Sequence, residues 1–198
     1  MARCATIAFV VAVCLALALV FGGLDQYVGS FSAHPWGADV SGLSAPWLIL
    51  PFVVGAGQRT VRRAVWLGLG CTMAALVGYL VMTFSPVENA HPTYAGVLGF
   101  LRGGNLRWFA AGALTGPLFG WLGHRWRTRR TVLAGLAAAV VVCLEPWARA
   151  AYGNVIRSSA VTAGEVAAGA AFGVLVAVRA AVGRRRGSAV PGEPGTAA

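Results

Sequence analysis

The sequence predicts an all-α, polytopic membrane helix bundle with six transmembrane helices and with both termini in the cytoplasm. Composition is the first observation behind this prediction: 58% of the 198 residues are hydrophobic, 11% are charged, and the mean hydropathy is +0.71. Charged residues make up about 25% of ordinary soluble chains. A soluble domain is therefore excluded, and the lipid bilayer is the first partner that the composition predicts.

Apolar runs are the second observation. A helix that crosses the ~30 Å hydrocarbon core needs ~20 mainly apolar residues, and six runs reach or approach this length. They cover residues 5–24, 40–57, 64–84, 108–123, 131–148 and 158–178. The first run could instead be a secretory signal peptide. Because its basic start is only Arg3 and the run continues past residue 18, we predict an uncleaved first helix.

Arginine placement is the third observation, and it gives the orientation. With both termini inside, twelve arginines fall on the cytoplasmic side and four outside, and the bias alternates at every loop as the positive-inside rule requires. The cytoplasmic set is Arg3, Arg59, Arg62, Arg63, Arg125, Arg127, Arg129, Arg130, Arg179, Arg184, Arg185 and Arg186; the outer set is Arg102, Arg107, Arg149 and Arg157. Since no soluble domain carries these clusters, nucleic-acid binding is excluded.

Domain organisation follows from the same pattern. Residues 1–182 form a single transmembrane helical domain, placed in the plasma membrane as a multi-pass protein. Residues 183–198 are basic and then rich in Gly and Pro. This tail cannot bury apolar area, so we predict that it is disordered in the cytoplasm. The apolar patch at residues 94–101 is too short to span, which predicts an interfacial helix or a re-entrant segment.

Acidic residues in or near the apolar runs are the candidate binding residues. An ionisable group in hydrocarbon costs ~2.5 kcal/mol or more and marks a functional site by default. The predicted topology places five of the six acidic residues in the outer half of the membrane: Asp25, Asp39, Glu88, Glu145 and Glu165. Their gathering on one side predicts an outward-facing acidic polar cavity.

Glu145 allows two interpretations. Arg149 follows it by four residues, the spacing of an ion pair on one helical face. Pro146 lies between them and is expected to bend the helix, so that the pair misses this geometry. A structural ion pair and a solute or proton site both remain open.

Metal binding and catalysis find little support. Glu88 and His91 are three residues apart, which one helical face could present to a metal, but Pro86 and Pro92 flank them as turn signals. We therefore predict no metal and no cofactor. Patterns such as GxSxG, HExxH and the P-loop do not occur in the sequence, so nothing argues for an enzyme.

Small residues form two stripes at helical spacing. Ala8, Ala12 and Ala16 lie on one face of the first predicted helix, and Gly169 and Gly173 on one face of the sixth. Such stripes allow close helix packing in membranes, either within the chain or against a membrane partner.

Several stretches carry a family resemblance: FGGLDQYVGSFSAHPWGADVSGLSAPW, MTFSPVENAH, GPLFGWLGHRW and CLEPWAR. They resemble an uncharacterised family of actinobacterial integral membrane proteins of about 200 residues. That resemblance implies class and location but no activity. Size and span count also resemble the substrate-binding membrane subunits of vitamin transporters of the energy-coupling-factor type, in which an alanine stripe is a docking surface.

Two hypotheses about function follow. The first is a solute-binding or transport component that takes a small-molecule solute in the acidic cavity. The alternative is a non-catalytic membrane scaffold or partner subunit. A third, a membrane enzyme that acts on lipid, has no motif in its favour.

The topology is testable by cysteine labelling. Residues 58–63, residues 124–130 and the tail after Arg179 are predicted to be cytoplasmic, whereas residues 25–40, 85–107 and 149–157 are predicted to be outside. In a cysteine-free background, an impermeant reagent added to intact cells should label single cysteines at positions 32 and 90. Labelling at 126 or 188, but not at 32 or 90, would overturn the topology.

Overall fold

The computed structural model describes residues 2–31, 35–128, 132–151 and 158–188, and the regular elements within these ranges are all helical. The α-helices are α1 (Ala2–Gly29), α2 (Pro35–Ser41), α3 (Ala45–Ala56), α4 (Val61–Thr83), α5 (Tyr94–Phe100), α6 (Leu106–Thr128), α7 (Val132–Ala151) and α8 (Ser159–Ser188). A 3₁₀ turn at Pro86–Glu88 lies between α4 and α5, and a π-helical turn at Leu101–Asn105 lies between α5 and α6. The all-helical class is confirmed for this part of the chain.

Four helices are long and apolar enough to cross a membrane: α1, α4, α7 and α8. α3 has 12 residues, which is ~18 Å at ~1.5 Å per residue and too short to cross. α6 has 23 residues, but Arg107, Arg125 and Arg127 lie within it. The structure therefore supports a membrane protein with four candidate spans, and the full set of six spans and its orientation stay predictions.

Several boundaries differ from the sequence prediction. α1 continues to Gly29, so Asp25 lies in a helix and not in a loop. The second predicted run splits into α2 and α3 around residues 42–44, because Pro46 favours the first turn of a helix over its interior. Residues 94–100 form the short helix α5. α8 continues to Ser188, and the rest of the predicted tail, residues 189–198, lies outside the described residues.

Glycines set how closely the helices pack. α1 packs on α4, α4 on α6, and α6 on α3, whereas α7 packs mainly on α8. A Cβ at Gly78 would overlap the carbonyl oxygen of Leu19, and one at Gly123 would overlap that of Phe52. Backbones that approach this closely need a residue without a side chain at the crossing. The α1–α4–α6–α3 layer therefore depends on these glycines.

Two polar side chains of α6 cap the carboxyl end of α3. The Nδ1 atom of buried His124 lies 3.0 Å from the carbonyl oxygen of Gln58. The Nη1 atom of Arg127 donates to the carbonyl oxygen of Ala56 over 3.1 Å. A helix leaves its last carbonyls unpaired, and a cation there is favoured by the helix dipole. The short helix α3 is thus held at its carboxyl end by α6.

Glycine substitutions test this packing. We expect Gly78→Ala to lower the melting temperature, because the added Cβ would push α1 away from α4 at a cost of about 1–3 kcal/mol. Gly164→Ala is the matched control, since a Cβ there meets no described atom within 4 Å and alanine favours the helix by ~1 kcal/mol. Thermal unfolding of the purified variants measures both. Equal melting temperatures for the two variants would contradict the account.

Candidate functional site

The break between α2 and α3 places a helix N-terminus inside the helix bundle. The first N–H groups of a helix have no partner within it. The backbone N–H of Ser44 donates to Oε1 of Glu145 over 3.0 Å, and the Ser44 side chain also interacts with this carboxyl group. A carboxylate at this position is stabilised by the helix dipole as well as by the hydrogen bond. Glu145 of α7 therefore caps α3 from a neighbouring helix.

Arg149 balances the charge of Glu145. The two side chains form an ion pair at i,i+4 spacing, with 9% and 7% of their side-chain surfaces exposed. The structure thus differs from the expected disruption at Pro146, because α7 continues from Val132 to Ala151 and keeps both side chains on one face. Pro146 lies inside α7 and does not end it.

Glu165 of α8 is the unusual member of this group. Only 5% of its surface is exposed, and neither of its carboxyl oxygens accepts a hydrogen bond from a basic or neutral donor within the described chain. Its side chain is hydrogen-bonded to the carboxyl group of Glu145 and interacts electrostatically with Arg149. Two carboxyl groups therefore share one guanidinium group. Since a buried carboxylate without a counter-charge is strongly disfavoured, Glu165 must hold a proton or face a cation.

Asp39 makes a second cap of the same kind. Its Oδ2 atom accepts a hydrogen bond of 2.9 Å from the backbone N–H of Ser158, which precedes α8. The broken α2–α3 segment is thus tied to α7–α8 twice, once by Asp39 and once by Glu145. Three of the five predicted acidic residues, Asp39, Glu145 and Glu165, meet at this end of the bundle. We call Glu145, Arg149 and Glu165 the acidic cluster.

The other predicted site residues lie elsewhere. Asp25 and Glu88 both act electrostatically on Tyr79 of α4, and the Trp47 side chain interacts with Asp25. One carboxyl oxygen of Glu88 is buried without a partner among the described residues. His91 is exposed, and the described ranges contain no group of three or more potential ligands that could hold a metal ion. The acidic set is therefore divided between two places.

A cavity of about 270 Å³ lies between α3, α6, α7 and α8. Its walls are apolar, and the acidic polar cavity expected from the sequence stays a prediction. The lining includes Leu48, Phe52, Phe119, Trp126, Val142 and Phe172. Sequence reasoning missed this cavity, because apolar residues that face a cavity cannot be told from apolar residues that face lipid.

Sequence reasoning also missed the contact between Ser44 and Glu145 and the cap made by His124. A serine before Ala45-Pro46 is a helix-start signal, but the sequence does not show which acid caps that helix from elsewhere in the chain.

Comparison with known proteins gives a family but no activity. No curated protein and no solved structure matches the chain. The family of unknown function DUF6518 matches residues 1–193. The chain therefore belongs to the DUF6518 family.

Proposed function

We propose that this protein is a solute-binding or transport component of the membrane, and that the acidic cluster is its binding site. The buried carboxyl group of Glu165, which is hydrogen-bonded to a second acid, Glu145, and accepts from no described donor, is the observation that carries the proposal. A structural ion pair needs one acid for one arginine, and Glu145 already fills that role. Glu165 adds a negative charge that the fold itself does not use, which favours an exchangeable proton or cation there.

The broken helix supports the same proposal. Secondary transporters place solutes at discontinuous helices, where the N-terminus of a half-helix faces an anionic group. Here α3 begins at such a break, and its N-terminus faces Glu145. Glu145 is fixed by Ser44 and by Arg149, whereas Glu165 is hydrogen-bonded to another acid, Glu145. We therefore assign Glu145 to positioning and Glu165 to exchange.

The six-span topology with both termini inside is part of this proposal. The alternating arginine bias supports it. The acidic cluster lies at the end of the bundle opposite His124 and Arg127, at the carboxyl end of α7. In this topology the cluster lies towards the outer face of the plasma membrane.

A partner subunit or scaffold is the second candidate. Ala8, Ala12 and Ala16 are exposed on α1, and a small-residue face of this kind suits packing against another membrane helix. A scaffold has no need for a second buried acid beside Glu145, so the experiment below separates the two candidates.

A melting screen with small cationic solutes tests the binding function. We expect at least one cation to raise the melting temperature of the wild type, because a ligand at about 100 times its Kd stabilises the folded state by ~2.7 kcal/mol. Glu165→Gln should melt close to the wild type and lose the ligand-induced shift. Glu88→Gln, a glutamate outside the cluster, is the matched control and should keep that shift. Failure of every cation to shift the wild type, or equal shifts in Glu165→Gln, would contradict binding at Glu165 and favour the scaffold.

A further inference from the structure

The apolar cavity and the acidic cluster lie along the same faces of three helices. On α7, Val142 lines the cavity and Glu145 follows three residues later, ~4.5 Å along the axis. On α3, Leu48 lines the cavity and Ser44 precedes it by four residues. Residues three or four apart share one helical face. The cavity and the cluster therefore lie about one helical turn apart along the same faces of α3 and α7.

α8 shows the same relation over a longer distance. Phe172 lines the cavity, and Glu165 lies seven residues, about two helical turns, earlier on the same face. Between them, Gly169 lies against Val142 and Cys143 of α7, so that α8 approaches α7 closely. The ring of Phe172 packs edge-on against that of Phe52, with 5.5 Å between centroids. The seam between α3 and α7–α8 is thus apolar at one end and acidic at the other.

The cavity also reaches the outer surface of the bundle. Val53 and Ile49 of α3 line it, and their exposed fractions are 61% and 44%. In a membrane this surface faces lipid, so a molecule dissolved in the bilayer can enter from the side. The cavity of about 270 Å³ is larger than an apolar cavity of about 150 Å³ that stays dry and binds benzene. Its walls fit a short hydrocarbon chain or ring.

The acidic cluster sets the charge of the head group. Two carboxylates and one arginine leave a single negative charge to be balanced by a ligand. Three carboxyl oxygens of the cluster are buried and accept no hydrogen bond from a basic or neutral donor in the described ranges: Oε2 of Glu145 and both oxygens of Glu165. A protonated primary amine carries one positive charge and three N–H donors. A phosphate or carboxylate head group would instead be repelled.

We propose that the ligand of this site is a lipophilic primary amine, with its ammonium group between Glu145 and Glu165 and its apolar body in the cavity beside Phe52 and Phe172. This inference rests on the proposed function and names its ligand class. On binding, the ammonium group donates to these three carboxyl oxygens and takes the place of the proton in the hydrogen bond between Glu165 and Glu145. That proton leaves to solvent, so charge in the cluster stays balanced.

The test uses the full chain in nanodiscs of phosphatidylcholine and three probes with the same ten-carbon chain: decylammonium, decanol and decanoate. Ethylammonium is the fourth probe and lacks the apolar body. Thermal unfolding over a concentration series gives each apparent Kd. We expect decylammonium to bind at least about tenfold more tightly than each of the other three, a ratio that corresponds to 1.4 kcal/mol. Glu165→Gln should weaken the binding of decylammonium by about tenfold or more, and Glu88→Gln should leave its Kd unchanged.

Cavity variants test the second half of the proposal. Ala138→Phe fills the cavity from α7 and should make the Kd of decylammonium equal to that of ethylammonium. Ile49→Trp fills the cavity from its exposed rim, where the larger side chain does not disturb packing. This second variant gives the same test if Ala138→Phe does not fold. Leu114→Trp is the control, because Leu114 is 75% exposed on α6 and does not line the cavity.

Each outcome decides the inference. Decanol or decanoate binding as tightly as decylammonium would make the cavity a general apolar site and overturn the amine assignment. Ethylammonium binding as tightly as decylammonium, with loss in Glu165→Gln, would overturn the role of the cavity but leave the proposed function intact. Absence of binding by either cation would overturn the inference, and failure of every cation in the wider screen would overturn the proposed function.

Discussion

The hydrogen bond from the Ser44 N–H to Glu145 is the interaction on which the rest of the site depends. It joins two residues 101 positions apart and fixes the start of α3 against α7. α3 has 12 residues and begins inside the bundle, where water does not satisfy its first N–H groups and a protein acceptor must do so. That acceptor is the carboxylate of Glu145, and Arg149 beside it balances its negative charge. Glu165 is then the acid left without a balancing charge.

The helix packing explains why the site lies where it does. Glycine contacts hold α1, α4, α6 and α3 as one closely packed layer. α7 and α8 pack mainly on each other and meet α3 across the seam that contains the cavity. The Glu145 and Asp39 caps cross this division. The position of α7–α8 against the layer therefore determines the geometry of both the acidic cluster and the cavity.

The sequence predicts much of the fold because apolar length is a local property. It finds the runs that become α1, α4, α7 and α8, and the four-residue spacing of Glu145 and Arg149 points to their ion pair. The division of the second run into α2 and α3 is less visible, because residues 40–57 are apolar enough for one helix while Pro46 favours a new start. The contact of Glu145 with Ser44, and the separate contact of Asp25 with Trp47, depend on which helices lie next to each other. Hydropathy does not define those neighbours.

A double-mutant cycle on Glu145 and Arg149, measured by thermal unfolding, tests the central claim that Glu145 is a charge-balanced cap of α3. Glu145→Gln alone should destabilise by about 3–5 kcal/mol, because it weakens the cap and removes the carboxylate that forms the buried ion pair with Arg149. Adding Arg149→Gln should recover part of that loss, since the unpaired charge is then removed. Glu88→Gln should stay close to the wild type. Additive effects of the two substitutions, or a Glu145→Gln variant as stable as the wild type, would contradict the account.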